Sequence, residues 1–265
     1  MNIQFLKKDA EYIEIDSIRK SIASITSNKP TFISIVLIIL IELNEASNNL
    51  LKELDNLFEL SKYMVDKSDY GEYDILKNLL EEYYILISDF NFDTKLRAYN
   101  FEEYKNYKLS NNQNKMNTFR GILFEAIVEQ LVVNRFENCY FETGCLIYIN
   151  KHKICIYYDN GKRKETFDIA GWNATNKWGE FYECKIRPDK FKKENYLLLQ
   201  ELKKYLVTNS INSYKIIIAS ADSVHNLLKQ IEEIVLDNSL TPEGFECYGK
   251  ENLHKINEIS MPIIA

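Results

Sequence analysis

Asp168, Glu183 and Lys185 are the residues of this chain whose types and spacing could do chemistry. They fall in one stretch, TFDIAGWNATNKWGEFYECKIRP, over residues 166–188. The stretch reads as two strands joined by a polar turn at 173–177. Side chains alternate along a strand, so Glu183 and Lys185 share a face while Tyr182, Cys184 and Ile186 point the other way, into apolar packing. If the strands pair, Asp168 comes beside Glu183, and two carboxylates and an ammonium meet on one sheet face. Hard divalent cations prefer such oxygen donors, and Mg²⁺ typically takes one or two carboxylates with waters and substrate phosphate oxygens. A lysine there can position a water, help deprotonate it, or stabilise charge on a phosphate.

The pattern of Asp168, residues 169–182, then Glu183-x-Lys185 resembles the active site of the PD-(D/E)XK nuclease superfamily. The resemblance implies a metal-dependent nuclease with Mg²⁺ or Mn²⁺ held by Asp168, Glu183 and the Cys184 carbonyl, and Lys185 acting on the attacking water. Upstream, FRGILFEAIVEQLV carries Glu125 on an expected helix, where the family often has a further metal-site acid. Downstream, NYLLLQELKKYL carries Gln200, where some branches have a functional glutamine that orients the water or the lysine. Phe167 stands where the family usually has proline. Tyr205 lies five residues after Gln200, so the Gln-x-x-x-Tyr pattern of some branches is not met. The resemblance spans residues 118–233 and leaves the N-terminal part unexplained.

The elements that must position these residues follow from periodicity. Residues 118–136 read as a helix capped by Thr118, with an apolar stripe of Phe124, Ile127, Val128, Leu131 and Val132 beside Glu125. Residues 140–149 and 153–158 read as strands. Asp159-Asn160-Gly161 is a hairpin turn signal, followed by Lys162, Arg163 and Lys164, which either meet a phosphate backbone or form a solvated tip. Pro188 closes the Glu183 strand. Residues 190–207 are expected to be helical, entering through Lys190, Lys192 and Lys193. With Arg187 these are the basic residues best placed to touch nucleic acid, because a helix N-terminus attracts phosphate. An apolar strand at 214–219 and a helix at 222–236 complete the order, and residues 237–265 are less clear, with a turn at Pro242 and an apolar tail. The fold class is α/β (α+β): a mixed central sheet flanked by helices, with an order that fits a restriction-endonuclease-like αβββαβ core.

Residues 1–110 read as a mainly helical region for regulation or partner binding, with the nuclease-like domain at 117–265. Pro30 suits the first turn of a helix over 31–46, although the β-branched run 33–41 also permits a strand. Residues 48–65 and 73–90 carry helical apolar rhythms, and Glu53, Asp55, Glu59, Glu81 and Glu82 are expected on solvated faces. The polar stretch 99–116 reads as a linker, with Tyr104, Lys105, Tyr107 and Lys108 read first as surface residues and second as a base-stacking patch.

Composition bounds the rest. The 265 residues are 46% hydrophobic and 27% charged, as in soluble globular proteins, with a formal net charge of -6. An acidic chain that grips a polyanion needs its basic residues concentrated locally or a partner. The five cysteines are odd in number and lack zinc-ligand spacing, and the three histidines are scattered. Free thiols in a reducing cytoplasm are the expectation. The charged N-terminus has no signal-peptide core, and the apolar run 32–41 is too short to span a bilayer. The resemblance implies a DNA substrate, and the expected further partners are a regulatory or sensor protein or a second copy, and no membrane. The expected setting is host defence of an antiviral or restriction type. Repair, recombination or mobile-element nucleases, a non-catalytic module keeping the fold, and a scaffold with a salt-bridged sheet surface are the alternatives.

Overall fold

The computed structural model describes residues 3–7, 13–43, 50–89, 111–158 and 161–261, and only the backbone of 13, 14, 87–89 and 111–115. The chain divides into two compact units, Met1–Asp9 with Val128–Ala265, and Ala10–Ile127. Sequence patterning places the border between 110 and 117. The division falls instead at Ile127/Val128, inside the helix Asn111–Val132, and the first strand belongs to the sheet unit, so the helical unit is inserted after it.

In the helical unit, helices α1 (Ile13–Ser27), α2 (Pro30–Glu42), α3 (Leu50–Ser61) and α4 (Tyr70–Asp89) precede α5 (Asn111–Val132), within which the two units divide. Pro30 stands at the start of α2, where its missing N–H is harmless. The β-branched run is helix rather than strand, and Phe32, Ile33, Ile35, Val36, Leu37, Ile39 and Leu40 are all buried. Burial on more than one face marks an interior helix. Arg120 of α5 is 2% exposed, and its Nε donates at 2.6 Å to the Leu40 carbonyl. That carbonyl is among the last of α2, which have no partner within the helix. Glu53, Asp55 and Glu59 are exposed, as expected for solvated faces.

The other unit is built on a seven-stranded mixed sheet in the order β1 (Ile3–Lys7), β2 (Tyr140–Ile149), β6 (Thr166–Asn173), β7 (Trp178–Lys185), β8 (Tyr214–Ser220) and β9 (Glu246–Tyr248), with the short β3 (His152–Lys153) folded back on β2. Pairing is antiparallel from β1 to β7 and parallel from β7 to β9. A separate hairpin joins β4 (Ile156–Tyr158) and β5 (Lys162–Lys164). Helices α6 (Lys193–Thr208) and α7 (Val224–Asp237) bring Leu198, Leu199, Leu202, Leu206, Leu227 and Ile234 into one core with Phe181, Ile216 and Ile218. This is an α/β arrangement with helices laid on a mixed sheet. Among the described residues, no helix is long and apolar enough to cross a membrane.

Several elements differ from the sequence reading. β1 is not anticipated there, because five residues at a sheet edge carry little local signal and their pairing is remote. α5 begins at Asn111, so the last part of the expected linker is helical, while 99–110 lies outside the described residues. The expected strand 153–158 is interrupted where Ile154 turns inward and donates to the Ile147 carbonyl at 2.9 Å. β9 and a 3₁₀ turn at Leu253–Glu258 lie in the segment that has no clear reading from sequence. Asp159, Asn160 and residues 262–265 lie outside the described residues.

Candidate active site

Asp168 sits where two ladders of β6 are interrupted. The β6–β7 register runs from Asn173 opposite Trp178 to Ile169 opposite Tyr182 and stops there. Beyond it, the Cys184 N–H donates to the Asp168 side chain, at 2.6 Å to Oδ2, instead of to a strand carbonyl. On the opposite edge, β2 pairs Thr143 with Ile169 and Cys145 with Phe167 but skips the position between them. Gly144 occupies it with φ of 54°, a conformation glycine adopts without strain. β7 stays in place because its other edge continues to pair with β8, Glu183 against Ile218 and Lys185 against Ser220.

The strands therefore part around the charged residues. Lys185 Nζ lies 2.8 Å from Glu183 Oε1, 3.1 Å from Asp168 Oδ2 and 2.8 Å from the Cys184 carbonyl. The three oxygens that the resemblance implies as metal donors thus converge on one cation, the chain's own ammonium. Glu183 is 1% exposed, whereas the Asp168 and Lys185 side chains are 17% and 18% exposed and reach solvent. Burial, together with the Glu183 charge, pushes the Asp168 carboxyl above its ordinary range, against the pull of Lys185, Lys164 and the Cys184 N–H. Burial also works against ionised Glu183, but Lys185 and Lys164 outweigh it and hold that carboxyl below its ordinary range.

Two partners of Glu183 escape the sequence reading. Lys164, at the end of β5, places its ammonium 3.3 Å from Glu183 Oε1. Asn195, in the first turn of α6, donates its side-chain amide to the same oxygen. Glu183 Oε2, in contrast, is buried with no hydrogen-bond partner. A buried carboxylate oxygen left without a donor is costly, at about 1–3 kcal/mol or more, and it asks for a ligand. An Asn in the first helical turn is a capping signal, but nothing local indicates that its amide reaches a strand.

The other expected residues have partners of their own. Gln200 donates to the Thr241 carbonyl at 3.1 Å and lies 3.4 Å from Glu243 Oε1, so its hydrogen bonds belong to the 241–243 turn. Glu125 is half-buried on the part of α5 that belongs to the helical unit, where its charge raises the Tyr83 hydroxyl behind the larger effect of burial. Arg187 pairs with Asp189 at 3.0 Å on the surface, and Lys190, Lys192 and Lys193 are exposed around the entry to α6. Lys192 stands at the N-cap of that helix and Asn195 one turn in, so the basic cluster adjoins the Glu183 carboxylate.

The opposite face of β7 corrects a further expectation. Tyr182 and Cys184 are buried there, but the packing is not purely apolar. Glu180 is fully buried and takes a two-pronged pair from Arg135, Nε to Oε1 at 3.0 Å and Nη2 to Oε2 at 2.8 Å. Trp178 Nε1 donates to Oε1 at 3.0 Å, and the Tyr182 hydroxyl to Oε2. Both Glu180 oxygens are bonded, so this network holds the strand rather than waiting for a ligand. The alternation of Trp178, Glu180 and Tyr182 is visible in the sequence; the remote Arg135 is not.

The site's donors suit a hard cation, since Mg²⁺ is commonly held by two carboxylates and completed by water and substrate oxygens. Among the described residues, no group of three or more His, Cys, Asp or Glu side chains comes together. Compared with known proteins, the chain matches no family model and no curated sequence.

Proposed function

We propose that this chain is a metal-dependent phosphodiesterase that cleaves DNA, built on a restriction-endonuclease-like core. One observation carries the reading: Asp168 Oδ2, Glu183 Oε1 and the Cys184 carbonyl converge on the Lys185 ammonium, and the buried Glu183 Oε2 beside them has no hydrogen-bond partner and is the oxygen left for an ion. Asp168, Glu183 and the Cys184 carbonyl would hold Mg²⁺ or Mn²⁺. When bound, the ion supplies Lewis-acid stabilisation of charge on the phosphate and acidifies a water. Lys185 reaches the same oxygens and solvent, so it can orient that water or meet a phosphate oxygen. The exposed Arg187, Lys190, Lys192 and Lys193 would carry the strand's phosphates to α6. A salt-bridged surface with no chemistry would satisfy the carboxylates, and the unpartnered Oε2 counts against it. The setting we favour is host defence under a partner's control, by analogy with compact nucleases.

Incubation with plasmid, linear and single-stranded DNA and with RNA, with Mg²⁺ or Mn²⁺, alone and with co-encoded proteins, tests the reading. Metal-dependent cleavage that Lys185→Ala abolishes supports it. A wild type inactive in every mixture, or cleavage unchanged by Lys185→Ala, rejects it.

A further inference from the structure

Glu183 presents its two oxygens unequally. Oε1 has three donors: Lys185 at 2.8 Å, Lys164 at 3.3 Å and the Asn195 amide. Oε2 is buried and has none. The two lysines end flexible stems, and their side chains are 18% and 25% exposed, so each can shift when the charge beside it changes. Asn195 cannot. It is 6% exposed, and its Oδ1 accepts the Lys192 N–H at 3.0 Å, which caps α6. That cap fixes which end of the amide faces which way: the oxygen is committed to the helix, so the nitrogen must face Glu183.

We propose that Asn195 is a positioning residue, which holds Glu183 by Oε1 from the rigid first turn of α6 and thereby presents Oε2 to a divalent cation. The inference rests on the reading of the site as a metal site and adds to it a residue from outside the strands. Outer partners that orient a ligand carboxylate set metal affinity strongly, and losing one costs about 10–100-fold.

The test is isothermal titration of the full chain with Mn²⁺. The variants Asn195→Ala and Asn195→Ser are compared with the wild type and with Asn209→Ala, which removes a cap at the far end of the same helix, where the Asn209 amide donates to the Tyr205 carbonyl. Asn195→Ala and Asn195→Ser bind Mn²⁺ about tenfold more weakly or worse, while Asn209→Ala binds as the wild type does. A companion measurement needs no variant: in the wild type, the side-chain amide resonances of Asn195 shift on Mg²⁺ addition and saturate with binding. Folded Asn195 variants with wild-type affinity, or an unmoved Asn195 amide in a protein that binds Mg²⁺, overturn this inference and leave the metal reading standing. A wild type that binds neither ion overturns the metal reading and this inference with it.

Discussion

The ammonium of Lys185 lies between two carboxylates that would otherwise repel each other, and Lys164 adds a second positive charge beside Glu183. The Lys185 ammonium also takes lone pairs that a divalent ion would use. Lys185→Met therefore removes a competitor and leaves the two carboxylates with Lys164 as the remaining cation beside them, so Mn²⁺ binds more tightly, by about tenfold or ~1.4 kcal/mol, while cleavage is lost. Calorimetry beside a cleavage assay checks both, and weaker Mn²⁺ binding would contradict it. Protonation gives a second handle. The Asp168 carboxyl is raised by burial and by Glu183, so its folded value lies above its unfolded one. Ionising Asp168 then opposes folding: its contribution favours the fold at low pH and is lost as pH rises through the raised value, the reverse of Glu183, whose lowered value favours the fold once pH exceeds the unfolded range. Carboxyl carbon NMR should find the Asp168 midpoint above the ordinary Asp range, and Glu183→Gln should move it down by removing a like charge. An upward or absent movement would show that Glu183 does not bear on Asp168. At this scale the sequence is informative about types and weaker about partners. Glu183 and Lys185 are two apart in one strand, so their common face can be read directly. Lys164 and Asn195 reach Glu183 from separate elements, and no local pattern encodes that.

β7 is held from both faces by unlike means. On the site face, Phe181 packs into the core supplied by α6 and α7. On the other, Arg135 meets Glu180 in a pair shielded from water, with Arg135 11% and Glu180 0% exposed. Arg135→Met strands a buried carboxylate and should destabilise the sheet unit by about 3–5 kcal/mol, read as a lower urea midpoint. A loss within experimental error would mean that Glu180 finds other compensation. Gly171 of β6 lies under the Phe136 ring, whose nearest carbon would stand 2.6 Å from an added Cβ. Gly171→Ala thus forces the ring aside at about 1–3 kcal/mol. The strands and the helices after them are legible because alternation and 3.6-residue rhythm are local. The break in β6 at Asp168 is not, since it depends on Gly144 in a neighbouring strand. The basic entry to α6 makes a separate prediction: Lys190→Glu with Lys193→Glu raises KM with kcat little changed, and reduces the salt slope of binding by about one for each phosphate that is no longer neutralised.

The helical unit Ala10–Ile127 interrupts the sheet unit after its first strand. Without β1, the β2 edge that pairs with Ile3–Lys7 would be bare, and bare edges recruit other chains. A chain of residues 128–265 is expected to aggregate or unfold more easily than one in which residues 1–9 are joined to 128–265 by a flexible linker, as light scattering and thermal melts would show. Equal behaviour would mean β1 is dispensable. The N-terminal region looks mainly helical from sequence because five edge residues are outweighed by the helices after them, and only the pairing reveals where they belong. If the chain binds nucleic acid as proposed, the net charge of -6 leaves that affinity to exposed cations such as Lys190, Lys192 and Lys193 or to a partner.

The claim that Asp168, Glu183 and Lys185 form a metal-dependent phosphodiesterase is tested most directly by plasmid cleavage under a Mg²⁺ titration, with the wild type and Asp168→Asn side by side and each partner protein present. The account predicts cleavage that rises with Mg²⁺, stops with chelator and falls at least about a hundredfold in Asp168→Asn. Cleavage that survives in Asp168→Asn, or that ignores chelator, would contradict it.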